Sequence, residues 1–198
     1  FAFSGWDSDS ETSTNDSGAN NNISTEDSKD IESNNKIDNV VAEEDDKIPT
    51  EYKSALKKAK SYSDGMHMSK AGIYNQLTSE YGEQFTEEAA QYAMDSLEAD
   101  YKVNALKKAE NYSDTMHMSK EGIYDQLTSE YGEQFTEEEA QYAVDNLDAD
   151  YKANALAKAK NYQDTMDMSP AAIYDQLVSE YGEKFTEEEA QYAIDNLE

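Results

Sequence analysis

The sequence predicts an all-α protein in which three tandem, helix-turn-helix-like three-helix repeats follow a polar N-terminal tether. A period of 50 residues after Pro49 indicates the repeats. Apolar residues at three- and four-residue spacing within each period indicate amphipathic helices. We therefore divide the chain into a tether, 1–48, and repeats at 49–98, 99–148 and 149–198.

The tether is acidic and poor in apolar residues. The first 50 residues hold 13 acids and three lysines, among many serines and asparagines. Isolated apolar residues cannot offset the entropy lost on ordering a chain, so we expect a disordered acidic linker. Pro49 marks the expected start of the first helix.

The repeats are nearly identical to one another. Residues 99–148 and 149–198 differ at 12 of 50 positions. Several copies of one module provide reach or multivalent binding, whereas a catalytic site rarely needs three copies.

Each repeat begins with two predicted helices. An apolar stripe that includes Ala55 and Ala59 predicts the first. Ser69 has the character of an N-cap for the second helix, which we expect over 70–81. Gly82 is expected to end that helix in a left-handed conformation.

The third helix begins at a threonine cap in every repeat: Thr86, Thr136 and Thr186. Glu139 and Glu189 complete capping boxes in the second and third repeats. Because 87–112 and 137–162 contain no Pro or Gly, we expect each third helix to continue as the first helix of the next repeat. This gives seven helices, two of them long and shared.

The charge of the chain argues against nucleic-acid binding. The net charge is −28, and all 16 basic residues are lysines. Nucleic-acid-binding proteins neutralise phosphates with clustered cations, which this sequence lacks. The same field would attract a basic segment of a protein, although solubility alone also explains it.

No residue set indicates a metal, a cofactor or an enzyme. Met66-His67-Met68 resembles a soft-metal site, but the third repeat has Asp167 in place of the histidine. The acids around Asp148 lack the spacing of a calcium loop. We find no nucleophile–base pair and no phosphate-binding loop, so we expect no catalysis.

Tyrosine is the residue type that most favours a binding surface. Each repeat carries five, and those on the second helix cannot all be buried beside Ile73 and Leu77. Exposed tyrosines next to acids are typical of protein-binding surfaces. The candidate partner-binding residues are Tyr74, Tyr81, Glu83, Tyr124, Tyr131, Glu133, Tyr174, Tyr181 and Glu183.

The motifs of the repeat resemble a known family. Met-Ser-Lys-x-Gly-Ile-Tyr-x-Gln-Leu, Ser-Glu-Tyr-Gly and Phe-Thr-x-Glu-x-Ala-Gln-Tyr-Ala, present from about residue 51 to 198, are similar to the Ltp family of host cell surface-exposed lipoproteins. The resemblance implies a protein of Gram-positive bacteria or their temperate phages, held outside the membrane. It also implies superinfection exclusion, in which entry of phage DNA is blocked through contact with the tape measure protein.

The sequence departs from that family at its beginning. The lipid-bearing cysteine of a lipoprotein is absent, so we expect a lipid or transmembrane anchor upstream of Phe1. We expect a monomeric surface protein whose partner is a basic protein segment. The alternative is a structural or adhesive surface module that binds cell-wall polymer or a host-cell protein.

Overall fold

The computed structural model describes residues 47–198, and the predicted tether lies almost entirely outside them. The described part is all-α, as the sequence predicts, and each repeat contributes three helices. Their bounds are α1 Thr50–Met66, α2 Lys70–Thr78, α3 Glu87–Ser96, α4 Tyr101–Met116, α5 Lys120–Thr128, α6 Glu137–Asn146, α7 Tyr151–Met166, α8 Pro170–Val178 and α9 Glu187–Asp195.

Each repeat packs its three helices around a core of its own. In the first repeat, Ile73 and Leu77 of α2 are fully buried against alanines of α1 and α3, including Ala59 and Ala93. Alanine at these contacts lets helix backbones approach closely. The second and third repeats repeat this arrangement, with Phe135 and Phe185 added to the core.

The prediction of long shared helices is wrong, because the chain interrupts them at each repeat junction. α3 ends before Leu97, whose backbone is extended at φ −79° and ψ 117°. A new helix starts after Asp100, whose carboxylate accepts hydrogen bonds from the backbone N–H groups of Lys102 and Val103 at 3.1 and 3.2 Å. Asp150 caps α7 through one such bond, which its carboxylate accepts from Ala153 N at 3.0 Å.

The predicted N-caps are present. The Ser69 hydroxyl accepts a hydrogen bond from Gly72 N at 3.0 Å, and Thr136 and Thr186 form the predicted capping boxes. In the first repeat, where Ala89 precludes the box, Glu51 replaces it. The Glu51 carboxylate accepts hydrogen bonds from Thr86 N at 2.9 Å and Thr86 Oγ1 at 3.0 Å.

Neighbouring repeats are joined through buried polar groups. Asn104 Nδ2 donates to Ser63 Oγ and to the Met68 carbonyl, both at 3.0 Å, and Asn154 repeats this with Ser113 and Met118. Ser69 Oγ donates to the Glu133 carbonyl at 2.5 Å. Because these residues are buried at the contact, each repeat is docked on the next through satisfied hydrogen bonds.

Candidate protein-binding surface

A turn between the second and third helices presents one tyrosine to solvent in every repeat. Tyr81, Tyr131 and Tyr181 are 97%, 98% and 100% exposed. Each follows an exposed glutamate, at position 80, 130 or 180. A large aromatic side chain is therefore open to solvent at the same position of all three repeats.

Hydrogen bonds donated by backbone N–H groups hold this turn. Tyr81 N donates to Ser79 Oγ at 3.1 Å, Glu83 N to the Gln76 carbonyl at 3.0 Å and Phe85 N to the Leu77 carbonyl at 2.9 Å. The second helix therefore ends at Thr78, earlier than predicted, and the turn folds back against its last residues. The exposed tyrosine thus lies on a turn that is held by hydrogen bonds to the end of the second helix.

The role predicted for Gly82 is wrong. Gln84, with φ 56°, takes the left-handed conformation instead, as do its equivalents Gln134 and Lys184. Glycine is needed at position 82 because a Cβ there would lie 2.2 Å from the Gln76 carbonyl oxygen. The requirement is thus close approach of two backbone segments.

The glutamates at positions 83, 133 and 183 point back into the protein. Glu83 forms an ion pair with Lys58 at 2.8 Å and accepts a hydrogen bond from the Tyr62 hydroxyl, which leaves its side chain 22% exposed. These hydrogen bonds hold the pKa of the Glu83 carboxyl below its usual range.

The same triad recurs in the other two repeats. Glu133 pairs with Lys108 and Glu183 with Lys158, both at 3.0 Å. Burial, aided by the bond to Glu183, raises the pKa of Tyr162 to about 12. The three glutamates therefore hold the turn onto the first helix of the repeat.

The tyrosines at positions 74, 124 and 174 occupy a different environment. All three are half-buried on the second helix and pack against the core of their own repeat. The nine candidate residues thus fall into three sets of different exposure, and the exposed tyrosines of the turn are the most accessible.

Acids crowd the start of the third helix, beyond the turn. Glu87 and Glu88 are both exposed in the first turn of this helix. In later repeats Lys102 pairs with Glu138 and Lys152 with Glu188, both at 2.6 Å, while the acids before them have no such partner in that range. The helix dipole favours acids here, so they need no cation.

Negative charge increases after the first repeat. Residues 49–98 carry eight acids and five lysines, 99–148 carry twelve and four, and 149–198 carry eleven and four. The corresponding net charges are −3, −8 and −7. The second and third repeats therefore provide most of the field that would attract a basic partner.

The histidines take part in the local structure of the repeat. His67, His117 and Asp167 follow the first helices in the left-handed conformation, with φ between 51° and 52°. Met68 packs against the core, as the sequence suggests for a methionine preceding the Ser69 cap. Among the described residues no cluster of three or more acidic, histidine or cysteine side chains could hold a metal ion.

Three stretches of the chain, 50–97, 100–147 and 150–197, match the family described as host cell surface-exposed lipoprotein (Lipoprotein_Ltp). The chain belongs to this family. The family's description places its members on the cell surface and names no enzymatic activity. In residues 47–198 no helix is both long and apolar enough to span a membrane.

A solved structure is also similar in sequence: Ltp, a superinfection exclusion protein from the Streptococcus thermophilus temperate phage TP-J34. It is 49% identical to this chain, covers 49% of this chain and 95% of its own, and has a TM-score of 0.45. No protein of curated function matches the chain.

Proposed function

We propose that this family member is a surface-tethered protein-binding array that excludes a second phage by binding a basic segment of a protein released from the phage tail, of the tape measure type. The main observation in support is that each of the three repeats exposes a tyrosine on a hydrogen-bonded turn. The net negative charge of the repeats, −3, −8 and −7, supplies the attraction for a basic partner.

Tyrosine on a hydrogen-bonded turn is well suited to protein contact. The ring offers a large contact area with few rotatable bonds, so binding costs little side-chain entropy. Three equivalent turns on one chain raise the effective concentration of each after the first has bound. Weak individual contacts would therefore add up to useful affinity.

The test compares host cells that express the anchored chain with cells that express a turn variant. The variant combines Tyr81→Ser, Tyr131→Ser and Tyr181→Ser. A control variant changes Met66, Met116 and Met166 to Ser, since these are 54%, 50% and 60% exposed at an equally periodic position. We expect the wild type and the control to reduce plaque counts while adsorption stays normal and DNA entry fails.

The turn variant should restore plaque formation without loss of surface protein. If cells that express the unchanged chain stayed sensitive to every phage of that host, the proposal would be contradicted. In that case, retention of the purified chain on isolated cell wall would favour the adhesive alternative.

A further inference from the structure

One repeat docks on the next through two complementary faces. The exit face of the first repeat offers the Ser63 hydroxyl, the Met68 carbonyl and the Ser69 hydroxyl. The entry face of the second repeat offers the Asn104 amide and the Glu133 carbonyl. The amide donates to the first two groups and the carbonyl accepts from the third, so each polar group on one face meets its complement on the other. The third repeat docks on the second with the same bonds.

The exit face has room for short side chains only. Ser63 and Ser69 are 2% and 1% exposed once the next repeat is docked. A Cβ added at Gly72 would lie 3.1 Å from Ser69 Oγ and 3.7 Å from the Glu133 carbonyl oxygen, so it would crowd the hydroxyl that donates to that carbonyl. The second repeat has the same residues on its exit face: Ser113, Ser119 and Gly122.

The exit face of the third repeat departs from this pattern. Gln163 replaces the first serine and Ala172 replaces the glycine, whereas Ser169 is retained but exposed. The Gln163 side chain is longer than serine and would occupy the space that the asparagine of a docked repeat enters. The Ala172 methyl crowds Ser169 Oγ, which accepts from Ala172 N at 3.3 Å, compared with 3.0 Å for the equivalent bond at both inner exit faces.

The entry face of the first repeat also differs from the inner ones. Ser54 stands where the second and third repeats have Asn104 and Asn154, and it is exposed, whereas both asparagines are buried. A serine hydroxyl carries one hydrogen, so it cannot donate to both acceptors that one asparagine amide satisfies. Both end faces of the array are therefore changed at residues that form the inner junctions.

We propose that these changes prevent a second copy of the chain from docking head to tail on the first. Inner faces repeated at both ends would fit one chain onto the next, and head-to-tail contacts that do not close build open filaments. Repeat proteins avoid this with terminal repeats whose outer faces are polar and atypical. The inference goes beyond the proposed function and does not depend on which partner the array binds.

The experiment restores one end of the full chain at a time. An entry variant carries Ser54→Asn, and an exit variant combines Gln163→Ser with Ala172→Gly. Each change introduces the residue that the second repeat has at that position, so both variants should fold, which circular dichroism checks. Because each variant has one restored face, their mixture can form a dimer but not a filament. Analytical ultracentrifugation at about 1 M salt, which screens repulsion between the acidic chains, measures the average mass.

We expect wild type and each variant alone to remain monomers at about 1 mM. The mixture of entry and exit variants should rise in average mass by about a third or more at about 1 mM of each chain, as for a Kd of about 1 mM or tighter. Ser54→Asp is the matched control for the entry variant, because aspartate has the shape of asparagine but no amide hydrogens. Its mixture with the exit variant should stay monomeric.

Association of the wild type would overturn the proposal, because the end faces would then dock without the inner residues. A monomeric mixture of the entry and exit variants would overturn it as well, and so would equal association in the Ser54→Asp mixture. None of these outcomes changes the expected plaque counts, so the proposed function stands or fails separately.

Discussion

The glycine that follows each exposed tyrosine decides whether its turn can form. At Gly132 an added Cβ would lie 2.3 Å from the Gln126 carbonyl oxygen, which belongs to the helix that the turn covers. A backbone atom cannot move aside as a flexible side chain would. The position of the tyrosine therefore depends on the absence of one methyl group in the next residue.

We expect Gly132→Ala to destabilise the protein by about 2 kcal/mol or more, because the turn must leave the helix end. Gly65 provides the control: it lies in α1, and nothing stands within 4 Å of an added Cβ. Gly65→Ala should stabilise by roughly 0.5–1 kcal/mol. Urea unfolding measures the free energy of unfolding of both variants. Equal changes in the two would contradict the view that Gly132 is needed for close approach of two backbone segments.

Buried tyrosine hydroxyls differ in whether they have a hydrogen-bond partner, so removing them should change the stability in opposite directions. The Tyr112 hydroxyl donates to Glu133, whereas the hydroxyls of Tyr101 and Tyr151 are buried without a partner in the described part of the chain. An unsatisfied buried hydroxyl costs free energy that a phenyl ring would not.

Tyr112→Phe should therefore lower the free energy of unfolding by about 1–2 kcal/mol, since it removes a bond to a charged group. Tyr151→Phe should leave it unchanged or raise it. Thermal unfolding of the two single variants distinguishes them. A larger loss in Tyr151→Phe would show that its hydroxyl has a partner in solution.

At the scale of elements, side-chain caps and breaks decide the architecture more than helix propensity does. The sequence could predict the caps at Ser69 and Thr136, because both precede apolar periodicity. It could not rank Asp100 as a cap, since Ala, Leu and Lys around it favour a continuous helix. The observed break consists of the extended backbone at Leu97 and the Asp100 cap, and Leu97 and Tyr101 on either side of it both pack against the first core.

The candidate site was predictable to a similar extent. Sequence reasoning found that the second-helix tyrosines could not all be buried, yet it could not say that Tyr81 would be exposed and Tyr74 half-buried. It also grouped Glu83 with them, because the ion pair to Lys58, 25 residues away, depends on tertiary packing.

The helix break itself can be tested. Asp100→Ala removes the acceptor for two backbone N–H groups and should cost about 1 kcal/mol. Asp148→Ala, at an exposed position two residues before the equivalent cap Asp150, is the control and should cost nothing measurable. Amide hydrogen exchange should show faster exchange at Lys102 and Val103 only in the first variant. Slow exchange there in both would mean that the cap is not needed.

At the scale of the whole described array, the two junctions between repeats share most of their hydrogen bonds but differ in one pair of residues. At the first junction Asn75 Nδ2 donates to Gln134 Oε1 at 2.7 Å, whereas at the second the equivalent Asp125 forms an ion pair with Lys184. The outer face of the third repeat lacks such contacts within residues 47–198, and there Gln163 and an exposed Ser169 replace the buried serines of the inner faces. Near-identical repeats thus carry position-specific docking residues.

Those docking residues should make the repeats unfold together, and Asn104 is the one that tests it. Its amide bonds two groups of the preceding repeat and is only 6% exposed, so Asn104→Ala leaves a buried hydroxyl and a carbonyl without their donor. We expect the free energy of unfolding to fall by about 1–3 kcal/mol and the transition to broaden, because nearest-neighbour coupling holds such arrays together.

Ser54, exposed at the same position of the first repeat, is the control. Ser54→Ala should leave the transition midpoint and slope unchanged. If Asn104→Ala also kept a single sharp transition, the coupling would have to come from apolar contacts across the junction.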